Sequence, residues 1–202
     1  RDQNGCTINY IDQKTYYQYC EKGGIKDLKN KNILLSILCD FGTVFSYQSK
    51  NRNNIIDELI VLRPEWITEG IYRIIDSDIS KRSKGYIPLN KMEEIFTDVE
   101  GMNQIVTYFP SERDFVISLM EKFKISYQIG EYEFIPSLAQ SERPESLKNW
   151  DFNISIFYET DGVFPGSLLY QFIVELSHDV KVEFTWNKGT LLSSKIYNVE
   201  AL

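Results

Sequence analysis

The feature that most constrains the fold is an internal echo. Residues 34 to 64 and 116 to 136 run through the same order of helix, strand, turn, strand and proline, ending at Pro64 and Pro136. Aligned at an offset of 82 residues, Leu34-Leu35-Ser36-Ile37-Leu38 faces Val116-Ile117-Ser118-Leu119-Met120, and Phe41 faces Phe123. Helical periodicity alone generates part of this match, since every amphipathic helix returns an apolar residue to the same face after about one turn. A helix followed by a β-hairpin is the sequence form of a winged helix. The fold class is therefore α+β with a helical, winged-helix-like first part, and the pattern leaves open whether that unit stands alone or in tandem.

In the first copy, Leu34, Ile37, Leu38 and Phe41 place one apolar stripe, to be buried against a neighbour, on a helix over residues 33 to 41 that Gly42 ends. Residues 43 to 47 and 58 to 62 then read as the strands of a hairpin with a long polar tip at 48 to 54. Pro64 suits the first turn of the next helix, where Ile67, Ile71, Ile74 and Ile75 share a face and Trp66 at its shoulder is a packing residue. Before all this lies a polar, Tyr-rich entry segment with a short helix around Tyr16 to Cys20, broken at Gly23-Gly24. In the second copy, Tyr86 and Ile87 form a short strand, and a helix over 89 to 96 turns Met92, Ile95 and Phe96 inward. Ser111 is the expected N-cap of the following helix, with Asp114 three residues on in place of the usual Glu. Phe115, Val116, Leu119, Met120 and Phe123 build its apolar face. A hairpin over 125 to 135 turns at Gly130-Glu131.

Residues 141 to 149, with Arg143-Pro144, read as a linker, which divides the chain into a first domain over 1 to 140 and a second over 150 to 202. The second has the order β-α-β-β. A strand over 152 to 158 precedes a helix opened by Pro165-Gly166, with Leu168, Leu169, Phe172, Ile173 and Leu176 on one face. Val180, Val182, Phe184 and Trp186 then alternate with Lys181, Glu183 and Thr185, giving a strand with one buried and one wet face. Asn187-Lys188-Gly189 is a tight turn into a further strand. If the first two strands are parallel, their crossover is right-handed. The mixed sheet is expected to be cut short where the chain ends.

The chemistry that the chain lacks is as informative. A net charge of -7 over 202 residues repels phosphate backbones, and the local basic clusters Lys22, Lys26, Lys29, Lys31 and Lys81, Arg82, Lys84 read as solvated surface. The longest apolar run, residues 33 to 39, covers about a third of a membrane span and is interrupted by Ser36, so no span is expected. With no initiator Met, basic n-region or apolar h-region at Arg1, the chain reads as a piece of a longer polypeptide. Cys6, Cys20 and Cys39 show neither CxxC nor Cys/His spacing, which points to a reducing, cytoplasmic setting without disulfides or zinc. Asn153-Ile154-Ser155 is a chance sequon in that setting, and His178 follows an apolar helical pattern as a C-terminal residue of that helix.

No phosphate-binding Gly-rich loop, HExxH or Gly-x-Ser-x-Gly element occurs, and the neighbouring acids Asp57-Glu58 and Glu93-Glu94 sit among polar residues. No catalytic, cofactor-binding or metal-binding residue is expected, and a non-enzymatic interaction module is the default reading. A tandem winged-helix nucleic-acid binder is the alternative. It would need a basic recognition helix, yet residues 33 to 41 carry no cation and residues 111 to 123 set Arg113 and Lys122 against Glu112, Asp114 and Glu121. An enzyme would need a deep pocket with converging polar groups.

Leu62-Arg63-Pro64-Glu65-Trp66-Ile67 followed by Gly70-Ile71-Tyr72, and preceded by Leu38-Cys39-Asp40-Phe41-Gly42, resembles the COR domain ("C-terminal of Roc") of Roco proteins. The second half is similar in order and spacing: Met120-Glu121-Lys122-Phe123-Lys124-Ile125, Phe134-Ile135-Pro136-Ser137-Leu138, Phe164-Pro165-Gly166 and Trp186-Asn187-Lys188-Gly189. Arg63 departs from the family, where an acidic residue is common before the proline. The resemblance implies a two-part COR domain directly after a Roc GTPase domain in a larger signalling protein. GTP and Mg belong to that Roc domain and no cofactor to this chain. It further implies homodimerisation largely through the second half, and packing on the Roc domain of the same polypeptide, which couples dimer state to nucleotide state. Tyr158, Phe164 and Pro165, around the loop Glu159-Thr160-Asp161-Gly162, are the contact residues expected; Pro64, Trp66, Trp186 and Gly189 are the structural ones.

Overall fold

The computed structural model of the chain describes residues 8–48, 58–97, 108–147, 162–163, 165–194 and 199–201. They form seven α-helices and three antiparallel sheets of three strands each. Contacts gather into two compact units, Arg1–Gly70 and Ile71–Leu202.

In the first unit the order is β1 (Tyr10–Asp12), α1 (Gln13–Lys22), α2 (Leu28–Asp40), β2 (Phe45–Gln48) and β3 (Glu58–Val61), after which Pro64 opens α3 (Pro64–Asp76). Both early helices start at an aspartate whose carboxylate accepts a backbone N–H three residues on: Asp12 from Thr15 at 2.7 Å and Asp27 from Asn30 at 3.0 Å. β3 is the central strand, antiparallel to β2 on one side and to β1 on the other. The expected hairpin is present. β1, inside the segment read as an entry, is an added edge strand. Ile11, Tyr16, Cys20 and Ile60 form the buried centre, with Leu34, Leu35 and Leu62 packed on it. Trp66 is 1% exposed, and its ring centroid lies 5.6 Å from that of Tyr10.

The expected stripe on α2 needs correction. The helix starts at Leu28, and Ile37 and Phe41 point to solvent, while the covered side carries Lys31, Leu34, Leu35 and Leu38. The cause is a polar anchor. The Tyr16 hydroxyl donates to the Lys31 carbonyl at 2.9 Å, Lys31 Nζ donates to Glu21 Oε1 at 2.7 Å, and the ammonium sits 5.2 Å from the centre of the Tyr17 ring. These contacts fix the rotation of α2 and leave part of its apolar surface outside.

The second unit holds the rest of α3, then α4 (Asp78–Arg82), β4 (Tyr86–Pro88), α5 (Met92–Thr97), α6 (Pro110–Lys122), β5 (Tyr127–Ile129) and β6 (Tyr132–Phe134). Its sheet order, β4-β6-β5, repeats β1-β3-β2: the return strand of the hairpin is central, and the strand before the helices is added to its outer side. Met92, Ile95 and Phe96 are buried, as their spacing predicts. Ser111 is not the cap of α6. Phe109 holds that position, Pro110 is the first helical residue, and the Glu112 carboxylate accepts the Phe109 N–H at 2.7 Å. Phe123, expected on the apolar face, is exposed.

After a stretch of 3₁₀ turns come α7 (Ser167–Glu175), β7 (Val180–Trp186), β8 (Gly189–Ser194) and β9 (Val199–Ala201), paired in the order β7-β8-β9. The strand expected over 152 to 158 lies outside the described residues, as does the side chain of Val182. Strict alternation along β7 does not hold. Its pairing with β8 shifts between Lys181 and Trp186, so that the adjacent Thr185 and Trp186 are both buried. The Thr185 hydroxyl is satisfied by that of Thr190 at 2.7 Å. Val180 packs with Ile173, Val174 and Phe134, whereas Phe184 packs with Leu147, Trp186 and Leu191. Phe172, expected inside, is 50% exposed, and Val174 fills the core in its stead because α7 is apolar on more than one side.

Candidate interaction surface

Among the described residues no group of three or more His, Cys, Asp or Glu is arranged to hold a metal. Cys20 and Cys39 are free thiols, the first buried, and Cys6 lies outside the described residues. His178 is exposed in the turn after α7. The basic clusters are largely engaged at home. Lys31 is 5% exposed and bonded to Glu21, Lys81 lies 3.2 Å from Asp76, Arg82 lies 3.2 Å from Asp78, and Lys84 Nζ donates to Gln140 Oε1 at 3.3 Å. The carboxylates beside Lys31, Lys81 and Arg82 weaken the field that would attract a phosphate backbone.

What the molecule does present is apolar. In the first unit Ile33 and Ile37 on α2 and Phe41 at its C-cap succeed one another at four-residue spacing, all exposed, with Phe41 at 78%. Beside them Asp27, Leu28, Lys29, Asn32, Ile33 and Ser36 line a shallow groove. In the second unit Val163, 96% exposed, precedes α7, on which Leu168 and Phe172 face solvent. Of the expected contact residues, Pro165 is exposed just before α7, while Tyr158 and Phe164 lie outside the described residues. Ile37 and Phe41 belong to the α2 stripe that helical periodicity assigns to the core, and Ile33 does not. The available signal was the presence of apolar residues on two sides of that helix, Ile33 and Ile37 on one and Leu34, Leu35 and Leu38 on the other.

The sequence model of the family described as "C-terminal of Roc, COR-A domain" matches residues 3–144. The chain belongs to the COR-A family. The resemblance carried by Leu62 to Tyr72 is thereby shown, and COR domains are non-catalytic modules of Roco proteins. Over 200 residues this COR chain is 25% identical to a "Roc-COR-CHAT protease" of Runella zeae, a match covering 96% of the chain and 19% of that protein. The chain thus spans about a fifth of that relative's length. Its fold is similar to that of Methanosarcina barkeri Roco2 RocCORdC bound to GDP, with a TM-score of 0.54 and 30% identity, over 66% of this chain and 40% of that one. The match does not favour a nucleic-acid-binding domain. Among the described residues, no helix is long and apolar enough to cross a membrane.

Proposed function

We propose that this COR chain is a non-enzymatic regulatory and dimerisation module that acts on an adjacent Roc GTPase domain within a larger, cytoplasmic signalling polypeptide. The observation that carries the reading is that the names of both relatives join Roc to COR, and the one of known structure is bound to GDP. The two exposed apolar surfaces support it, because apolar area that an isolated unit leaves in water is characteristic of a surface awaiting a partner. The shared strand order of the first two sheets supports a tandem winged-helix description, used here for protein contact rather than for nucleic acid. GTP and Mg belong to the Roc domain. Tyr158, Phe164 and Pro165 contribute to the contact with it, and the second half meets a copy of itself.

The test uses two measurements. Titrating the chain with Mg-GTP should give no heat of binding, whereas micromolar, Mg-dependent binding would remove the non-enzymatic reading. In the longer polypeptide, Tyr158→Ala, Phe164→Ala and Phe41→Asp should each alter GTP turnover or shift the monomer–dimer equilibrium seen by sedimentation. The melting temperature of the COR chain should stay unchanged. If turnover and association follow only a loss of folding, these residues are core and the module acts through another surface.

A further inference from the structure

β6 is the central strand of its sheet, and Glu133, its middle residue, is 1% exposed, opposite Ile87 of β4 and Gln128 of β5. Alternation sends Phe134 and Glu133 to opposite faces. The Phe134 face is aromatic and aliphatic: the Tyr86 and Tyr127 rings lie 4.5 and 5.6 Å from it, with Ile173 and Val174 behind. On the Glu133 side neither carboxylate oxygen is in a hydrogen bond of normal geometry, and the fully buried Ser126 hydroxyl, close enough to favour the charged form weakly, makes none either. The charged group facing Glu133 is another acid, Glu121, near the end of α6, a helix that packs on β5. On β4 and β5 the titratable neighbours Tyr86 and Tyr127 turn to the other face, and Lys124 is engaged 2.8 Å from Glu175. A carboxylate buried without a cation or a committed donor is costly when ionised and tolerable when neutral.

We propose that Glu133 is a proton switch for the β5–β6 hairpin: with the carboxyl protonated the hairpin is held closed against α6, and ionisation loosens it. Burial pushes this carboxyl up to about 7, the Ser126 hydroxyl pulls it down, and the charge of Glu121 adds to the rise. The same residue in the unfolded chain ionises near 4.5. The folded state therefore holds the proton more tightly. The stabilisation is complete below about 4.5, is lost as pH rises toward about 7, and does not fall further above that. The loss therefore runs from mildly acidic pH up to neutrality, and over that span a change in acidity alters how firmly the central sheet of the second unit is closed. The inference is independent of any contact with a GTPase domain.

Amide hydrogen exchange on the whole chain between about pH 5.5 and 8.5, corrected for intrinsic rates, tests it. Protection of residues 127 to 134 should fall about tenfold or more across that range in the parent and stay flat in Glu133→Gln. Glu121→Gln should keep the switch and move its midpoint to lower pH, because a like charge is gone; if Glu133→Gln fails to fold, this shift decides, and an unmoved midpoint overturns the proposal. A pH profile unchanged in Glu133→Gln, or a flat profile in the parent, also overturns it. So does millimolar MgCl₂ or CaCl₂ restoring protection at high pH in the parent alone, since the carboxyl would then serve a cation.

Discussion

Gly42 and Lys124 occupy the same backbone position after two helices of equal length. α2 and α6 each have 13 residues, their first residues stand 82 positions apart, and the two residues have φ of 68° and 59°. The closing hydrogen bonds also correspond. Gly42 and Thr43 donate to the carbonyls of Cys39 and Leu38 at 2.9 and 3.1 Å, as Lys124 and Ile125 do to those of Glu121 and Met120 at 3.0 and 2.8 Å. One copy meets this left-handed position with glycine and the other accepts a strained lysine.

Gly42→Ala should therefore lower stability by about 1 kcal/mol through backbone strain alone, because nothing lies within 4 Å of the added carbon. Lys124→Gly should leave stability unchanged or raise it, since relief of strain offsets the loss of a half-exposed ion pair with Glu175. Urea midpoints at constant slope measure both. A clear loss in Lys124→Gly would show that the Glu175 contact outweighs the strain.

Lys31 is the anchor that orients α2, so Lys31→Ala should lower the melting temperature clearly, through lost packing on Tyr17 as well as the lost bond to Glu21. Glu21→Gln should do far less, because that carboxyl is in water. Lys31 holds the Glu21 carboxyl below its usual range, so the contribution is present at neutral pH and is lost on acidification through that lowered value. Equal losses in the two variants would assign the effect to the charge pair instead of the lysine stem.

Trp66, on the buried face of the first turn of α3 with Tyr10 against its ring, should cost about 3 to 5 kcal/mol on replacement by Ala. The loss should appear as a lower urea midpoint. An unchanged midpoint would mean that the ring space is refilled or solvated at no cost.

The turn at the end of β7 depends on an absent side chain. A carbon added at Gly189 would come within 2.5 Å of Cζ2 in the Trp186 indole, which is packed with Leu147 and Leu191. Gly189→Ala should destabilise by about 1 to 3 kcal/mol as the ring is displaced. Tryptophan fluorescence should shift with it. Adding Trp186→Leu should remove most of that penalty, and a penalty that persists in the double variant would place the constraint in the backbone.

The hairpins were legible because their strands are dense in β-branched and aromatic residues and each ends at a proline, Pro64 or Pro136. The inner face of α5 followed from the spacing of Met92, Ile95 and Phe96. β1 was not legible, since Tyr10-Ile11-Asp12 is too short for alternation to register. Periodicity tells which residues share a face and is silent on which face is covered. On α2 a buried lysine decided the matter, and on α7 Val174 took the place expected for Phe172. The interaction surface was misread for the same reason: Ile37 and Phe41 have the composition of a core and the position of a surface.

The two outer strands are nearly interchangeable. Tyr10-Ile11-Asp12 and Tyr86-Ile87-Pro88 begin with the same pair, and each lies antiparallel to the return strand of its hairpin, with Ile11 opposite Ile60 and Ile87 opposite Glu133. A chain refolding from denaturant should thus meet two similar edges for each outer strand, and a slow phase from mispairing is the expected result. Asp12, spent on capping α1, and Pro88, which has no N–H to donate, are what tell them apart. In synthesis from the N-terminus β1 and its hairpin emerge before β5 and β6, an order that favours the native pairing.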